Sequence, residues 1–117
     1  MSQNKINLAQ NNYFQDLILD VLFSQKFTEI KIKEIKKNSF YDYVIICTAK
    51  SIAQMNPVVK KLKNKLNTNN LVFEGYNSNW LLIIFKGYLI QIFTEESRKY
   101  YNIEDIYFDS PTIAKFG

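Results

Sequence analysis

Few side chains in this sequence could carry out a reaction. The 117 residues include no histidine, one cysteine and three glycines. Without histidine the chain cannot form a histidine-based catalytic triad or a histidine metal site, and a single cysteine cannot build a structural zinc site. Three glycines are too few for a phosphate-binding loop or a dinucleotide fingerprint. The sequence therefore predicts a binding protein that is not an enzyme and uses no metal or cofactor.

Two pairs of carboxylates are candidates for chemistry. Asp16 and Asp20 are four residues apart on a predicted helix, a spacing at which two side chains share a face. No histidine or third acid lies near them, so we expect a solvated surface. Glu104 and Asp105 are adjacent and point in different directions on any regular element. The sequence also contains no Asp-x-Asp pattern of the kind that nucleotidyl transfer needs.

Recognition could instead rest on aromatic and arginine side chains. Trp80 stands near the start of the apolar run 79–85, and Arg98, Tyr100 and Tyr101 follow the last predicted strand. Tryptophan, tyrosine and arginine are the residue types most enriched at the energetic centres of protein interfaces. Each of these side chains could equally pack at the edge of the core, so both interpretations stay open.

The chain carries a mild excess of positive charge. It has 15 basic and 11 acidic residues and a net charge of +4. Four lysines, Lys60, Lys61, Lys63 and Lys65, lie on the outer side of a predicted helix. A solvated helix face and an RNA-binding face are the two interpretations of this cluster.

Three features bear on the compartment. No run reaches the roughly 18 apolar residues of a membrane span, and residues 1–12 lack the layout of a signal peptide. The lone cysteine, Cys47, lies in an apolar run, which predicts a buried thiol in a reducing compartment. We therefore expect a soluble cytoplasmic protein with no membrane partner.

The stretch 72–93 organises the predicted fold. Its run 79–85 is apolar, short and rich in β-branched and aromatic residues, which predicts a central strand buried on both faces. Lys86-Gly87 suits a tight primed hairpin turn, so residues 88–93 should return antiparallel to the first run. Everything else is expected to cover this hairpin.

The other predicted elements follow from periodicity and capping. Residues 13–25, with Asn12 as cap, form a helix, residues 28–33 an edge strand with its lysines in water, and residues 36–39 a turn. Residues 40–47 form a buried strand. Residues 51–66 form one helix, capped by Ser51 and Gln54 and kinked at Pro57, unless Asn56 caps a second start there. Residues 100–107 form a short helical turn that packs Tyr101, Ile103 and Ile106 on the sheet edge.

The predicted fold class is α/β, with a mixed five-stranded sheet covered by two main helices. One domain is expected over residues 12–117, preceded by a flexible tail over residues 1–11. A chain of this length can bury a core without disulfides or metal.

An ordered set of short motifs resembles the Iojap-like ribosomal silencing factor family over roughly residues 13–110. The family pattern runs Asp-Tyr-aromatic-Val-Ile, Thr-Gly-x-Ser, Glu-Gly, Trp-Val-Leu-Leu-Asp, Gly-Asp and Arg-x-Tyr-Tyr. The matching positions are Asp42-Tyr43-Val44-Ile45-Ile46, Thr48, Ser51, Glu74-Gly75, Trp80-Leu81-Leu82, Gly87, Ile92-Phe93, Arg98 and Tyr101.

The chain departs from that pattern at three places. Ala49 replaces the family's glycine after Thr48, and the turn over residues 84–88 lacks both of the family's acids. Gln91 stands where the family has a strand histidine.

The resemblance implies a non-catalytic domain with nucleotidyltransferase-like topology but without the catalytic acids. It implies binding of the large ribosomal subunit through ribosomal protein fourteen and a steric block to subunit joining, which represses translation or aids large-subunit biogenesis. A peripheral rRNA contact and a homodimer of the free protein are left open. The partner-binding residues carried over are Glu74, Trp80, Leu82, Arg98 and Tyr101.

Two other functions compete with this one. The first is a degenerate nucleotidyltransferase-like domain that still binds a nucleotide. The second is a basic RNA-binding module that uses the lysine cluster.

Overall fold

A computed structural model describes residues 2–36 and 40–117, with side chains from residue 13 onward. Within these ranges the chain forms five helices and six strands. In chain order they are α1 (Ser2–Ser24), β1 (Thr28–Glu34), β2 (Tyr43–Ala49), α2 (Ile52–Met55), α3 (Val58–Leu66), β3 (Val72–Glu74), β4 (Trp80–Phe85), β5 (Tyr88–Thr94), α4 (Glu95–Tyr101), α5 (Ile103–Ile106) and β6 (Thr112–Phe116).

The six strands form one mixed sheet in the order β3-β4-β5-β2-β1-β6. Strands β2 and β5 are parallel, and every other neighbouring pair is antiparallel. The prediction of a mixed α/β fold is confirmed, but the prediction of five strands is wrong. The sixth strand, β6, was missed because four of its five residues are exposed, so backbone pairing with β1 and not burial holds it in place.

The central hairpin is as predicted. Strands β4 and β5 pair antiparallel from Trp80 opposite Phe93 to Phe85 opposite Tyr88. Lys86 and Gly87 both have positive φ, at 43° and 83°, which is the signature of a type I′ turn. This turn has the right-handed twist that two adjacent strands require.

The predicted burial of β4 on both faces is wrong. Its residues alternate between half-buried and buried, whereas β2 and β5 are buried along nearly their whole length. An apolar run fits a strand with two covered faces, but it also fits a strand with one apolar face left partly open. Strand β4 is of the second kind because the cover on its second face, which includes Ile103 of α5 and Tyr107, leaves Trp80, Leu82 and Ile84 only partly buried.

The predicted edge position of β1 is also wrong, since β1 lies between β2 and β6. Lys33, expected to face water, is only 7% exposed, because the connection from α5 to β6 packs against it. Its Nζ donates hydrogen bonds to the carbonyl oxygens of Tyr107 and Ser110, at 3.1 and 3.2 Å. These two bonds fix the connection between α5 and β6 to the sheet.

Helix α1 begins at Ser2 and not near residue 13, because residues 2–12 contain no proline or glycine that would stop a helix. Asn12 therefore lies inside the helix and is not its cap. The side chains of the predicted flexible tail lie outside the described residues, as do residues 37–39 of the predicted turn. The domain boundary at residue 12 stays a prediction.

The predicted helix over residues 51–66 is two helices. The oxygen of Ser51 accepts from the Gln54 backbone N–H at 3.1 Å, as predicted. Pro57, which has no N–H to donate, separates α2 from α3 although its backbone stays right-handed. Asn56 does not cap α3, because its side chain exchanges hydrogen bonds with Asn77 instead.

Two hydrophobic clusters lie on opposite faces of the sheet. The larger one packs α1, α2 and α3 on one face, through residues such as Ile18, Leu62 and Ile83. The smaller one lies under α5 and Tyr107 on the other face. There Ile103 is buried, but Ile106 is 60% exposed, so its predicted packing is wrong. The second face is thus only partly covered.

The described part of the chain holds no helix with the length and apolar character that crossing a membrane requires.

The buried thiol of Cys47 predicts a pH dependence of stability. Burial raises the pKa of Cys47 in the folded protein, with a smaller opposing effect of Arg98, whereas the unfolded thiol has a pKa of about 8.5. The contribution of the protonated thiol to the free energy of unfolding is fully present below a pH of about 8.5. Above that pH it is lost by about 1.4 kcal/mol per pH unit. Urea unfolding between pH 8 and 10 should show this slope.

A Cys47→Ala variant is the control for the thiol. It should be less stable at every pH, because it leaves a cavity, but the part of the slope caused by the thiol should disappear. Equal slopes in the two proteins would contradict the assignment.

Candidate protein interface

The uncovered part of the second face is a strip formed by β3 and β4. Antiparallel partners share a face, and Val72 lies opposite Ile84 while Glu74 lies opposite Leu82. Val72 is 57% exposed, and Leu82 and Ile84 are half-buried although they pack on the smaller cluster. We call Val72, Glu74, Trp80, Leu82 and Ile84 the open strip.

Trp80 lies at one end of the open strip and is neither sealed in the core nor free in water. Its ring is 5.1 Å from that of Phe93 and 4.9 Å from that of Tyr101. Tyr101 is 42% exposed, and Tyr100 packs edge-on against it. The exposed aromatic rings of α4 therefore extend the apolar surface beyond the strands.

A buried amide lies directly beneath the indole. Gln91 on β5 is 3% exposed, and its Oε1 accepts from Trp80 Nε1 at 3.1 Å. Its Nε2 donates to the hydroxyl oxygen of Tyr107 at 2.9 Å. Burial raises the pKa of Tyr107, against a smaller lowering by the bond from Gln91. The phenol therefore stays protonated at neutral pH.

Arg98 lies elsewhere and is buried. Its Nη1 donates to the Glu29 carbonyl at 2.7 Å and to the Thr48 hydroxyl at 2.8 Å, and its Nε donates to Glu104 at 2.7 Å. The guanidinium thus ties α4 to β1, β2 and α5 from below. Its predicted role as a partner contact stays a prediction, and these bonds give it a structural role in addition.

Of the five predicted contact residues, the structure brings Glu74, Trp80, Leu82 and Tyr101 to one surface. Trp80 contacts Tyr101, and Glu74 pairs with Leu82 two residues along β4. Sequence reasoning missed Gln91 and Tyr107 as site residues, as well as exposed Val72 and half-buried Ile84. A single glutamine in an otherwise apolar strand was the signal for a buried hydrogen-bonded site.

Most of the lysine cluster contacts its own protein. Lys61 donates to Gln25, Lys63 lies 5.4 Å from the centre of the Phe73 ring, and Lys65 pairs with Asp20 at 3.7 Å. The last contact also accounts for one of the two helical carboxylates. Among residues 13–36 and 40–117, no group of three or more acids or cysteines is placed to hold a metal ion.

The loop between β3 and β4 sets the position of the open strip. Gly75 has φ of +84°, and a Cβ there would lie 2.1 Å from the Trp80 carbonyl oxygen. Gly75→Ala should therefore cost about 2 kcal/mol or more, from left-handed backbone strain plus a backbone clash. Urea unfolding of the purified variant measures this loss.

Gly87→Ala provides a matched control. Gly87 has nearly the same φ, +83°, but its Cβ would meet only the Asp42 carboxylate, a movable side chain, at 2.6 Å. Its cost should be close to the strain alone, about 1–2 kcal/mol. If the two alanine variants were equally stable, the clash at Gly75 would not be what fixes this loop.

Comparisons with known proteins agree with this fold. A family model described as ribosomal silencing factor during starvation matches residues 9–116. Ribosomal silencing factor RsfS of Bacillus subtilis (strain 168) is 27% identical over 74 residues, which cover 60% of this chain and 63% of that protein. The Halalkalibacterium halodurans protein of the same name is 29% identical over 80 residues, which cover 65% and 68%.

Two solved structures resemble this fold. A protein of Chromobacterium violaceum superimposes with a TM-score of 0.74 and 20% identity, over 83% of this chain and 85% of that one. A protein of Bacillus halodurans gives a TM-score of 0.73 and 23% identity, over 88% and 98%. At these identities the likeness concerns the fold alone.

The family model covers nearly the whole chain, and the two named relatives carry the family's name. The resemblance seen in the short motifs is therefore confirmed. This protein belongs to the ribosomal silencing factor family.

Proposed function

We propose that this protein silences ribosomes by binding the large subunit through ribosomal protein fourteen and thereby blocking its joining to the small subunit. The observation that carries the proposal is the open strip, an apolar sheet surface left uncovered in a protein of the silencing factor family. Buried apolar anchors surrounded by polar residues are the usual centre of a protein interface. In this role the protein is not an enzyme and uses no cofactor.

The anchors in this proposal are Trp80, Leu82 and Tyr101. All three are partly exposed, on one surface, and they present aromatic and aliphatic atoms that lose water on docking. Glu74 lies beside Leu82 across the β3–β4 pair and is exposed. It would form the polar rim and favour a basic group on the partner, because complementary charges orient an encounter.

The block itself is steric. The protein measures 44 × 33 × 25 Å along its principal axes, so even its thinnest dimension would hold apart two surfaces that must meet closely. The block then depends on where the protein binds and on how long it stays bound, and it needs no chemical step. In this proposal the protein is soluble and cytoplasmic. By the steric block it represses translation or aids large-subunit assembly.

The net charge of +4 supports a peripheral contact with rRNA. The lysine cluster is a weaker candidate for an RNA-binding module of its own, since three of its four lysines contact Gln25, Phe73 and Asp20. A degenerate nucleotide-binding role has no comparable surface feature in its favour among residues 13–36 and 40–117.

Subunit joining followed by light scattering tests the proposal. Purified large subunits are incubated with the protein before small subunits are added, and we expect the scattering increase to be reduced in proportion to the occupied large subunits. Co-sedimentation with large subunits and pull-down of purified ribosomal protein fourteen locate the contact.

If large subunits saturated with the protein joined small subunits at the normal rate, the steric mechanism would be overturned. Tight binding to bare rRNA without ribosomal protein would favour the RNA-binding hypothesis. A nucleotide-dependent rise in melting temperature would favour the nucleotide-binding one.

A further inference from the structure

A chain of hydrogen bonds connects the buried side of the sheet face to the tryptophan on its surface. Lys33 Nζ bonds to the Tyr107 and Ser110 carbonyls, the Tyr107 hydroxyl accepts from Gln91, and Gln91 accepts from the Trp80 indole. Lys33 and Gln91 are 7% and 3% exposed. Strand β5 thus bonds to the indole directly, through Gln91, while β1 and the connection after α5 support Gln91 through Tyr107.

The donor and acceptor pattern of this chain allows one arrangement of the amide. An indole N–H can only donate, so the group that faces it must be an acceptor. A flipped Gln91 amide would set its NH₂ against the indole N–H, and the indole would lose its bond. The phenol can donate or accept and so fits either end of the amide; the indole selects this orientation, and the bond from Gln91 Nε2 to Tyr107 anchors the amide in it. The backbone of Tyr107 is in turn held by one bond from Lys33 to its carbonyl oxygen, and a second bond from Lys33 holds Ser110 three residues on.

We infer that Gln91 and Tyr107 are positioning residues, which hold the Trp80 indole in the orientation that a protein partner binds. Ring packing on Phe93 and Tyr101 buries the indole, but stacking contacts alone permit sliding and tilting, whereas a hydrogen bond fixes its direction. A side chain ordered before docking loses less conformational entropy on docking. The part of this inference that concerns binding rests on the proposed function.

The test uses the fact that Trp80 is the only tryptophan of the chain, so that intrinsic fluorescence reports on this ring alone. Gln91→Met keeps an unbranched side chain of similar length but removes both hydrogen bonds made by the side-chain amide. We expect its indole emission to change in wavelength and its fluorescence anisotropy to fall. Binding to ribosomal protein fourteen should weaken by about three- to tenfold, the cost of ordering one side chain.

Two further variants separate positioning from simple stability. Gln91→His should restore both signals at pH 8, since a neutral imidazole offers one acceptor to the indole and one donor to the phenol. Ile103→Val shortens a buried side chain of the same cluster without touching the hydrogen bonds. It should lower the urea midpoint and leave emission, anisotropy and affinity unchanged.

The outcomes are distinguishable. If Gln91→Met folds with the emission and anisotropy of the parent, the inference is wrong, whatever the partner. If both change but the parent does not bind ribosomal protein fourteen, the proposed function is wrong and the positioning of the ring is retained. A Tyr107→Phe variant with parental anisotropy would show that Gln91 alone suffices and would overturn the role of Tyr107.

Discussion

Leu82→Asp is expected to abolish binding to the large ribosomal subunit while the protein stays folded. Leu82 is half-buried in the open strip, so aspartate can keep its carboxylate in water until a partner docks, although the like charge of Glu74 opposite it should cost up to about 1 kcal/mol of folding free energy. Docking would then bury an unpaired charge, which costs several kcal/mol. A loss of about 3 kcal/mol corresponds to binding that is weaker by more than a hundredfold.

Trp80→Ala should weaken binding to the large subunit by about thirtyfold, as truncation of a hot-spot residue does.

Co-sedimentation with large subunits measures this loss, and circular dichroism checks the fold. Ile113→Asp is the matched control, because Ile113 is 47% exposed on β6, at the opposite edge of the sheet. It introduces the same charge on a strand of the same sheet and should bind normally. If both aspartate variants bound like the parent, the open strip would not be the interface.

Arg98→Met is expected to cost about 3 kcal/mol of folding free energy, the lower end of what breaking a buried ion pair costs. The guanidinium is 8% exposed, and its removal leaves the Glu29 carbonyl, the Thr48 hydroxyl and the Glu104 carboxylate without their donor. One oxygen of Glu104 is already buried without a hydrogen-bond partner in the part of the chain that the structure describes. The urea midpoint should fall accordingly, with an unchanged slope.

Lys99→Met is the control for Arg98→Met. Lys99 is the next residue, its side chain is 79% exposed, and it pairs with Glu95 at 3.7 Å, an arrangement worth about 0.5 kcal/mol or less. If Arg98→Met were as stable as the parent but failed to bind, the arginine would be a partner contact, as the sequence motif implies. A structural role of Arg98 therefore predicts a lower urea midpoint. A contact role predicts an unchanged urea midpoint and weaker binding to the large subunit.

The sequence predicted those parts of the fold whose signals are local. The turn at Lys86-Gly87 joins strands that are adjacent in the chain, and the cap at Ser51 bonds three residues on. Strand β6 could not be found in this way, because its partner β1 lies about eighty residues earlier and its own side chains are mostly exposed. The burial of Lys33 was missed for the same reason, because the prediction did not include β6 or the connection that leads into it.

The candidate site was predicted in its residues more than in its arrangement. Composition alone excluded histidine chemistry and drew attention to Trp80. The apolar character of β4 was visible, but whether that strand had one open face depended on which helices and loops packed over it, and no local pattern encodes that. Arg98 could not be assigned from sequence, since its bonds reach Glu29 and Thr48, far away in the chain.

The single parallel ladder has a consequence for folding kinetics. Strands β1 and β2 pair within the first half of the chain and β3, β4 and β5 within the second, so each half can form antiparallel contacts early. The halves are joined where Tyr43 meets Tyr88 and Ala49 meets Thr94. The paired residues are 45 positions apart in the chain. The entropy cost of closing this loop must be met before pairing of β2 with β5 contributes any stabilising free energy. Refolding should therefore be limited by the docking of two preformed halves, with β6 adding last.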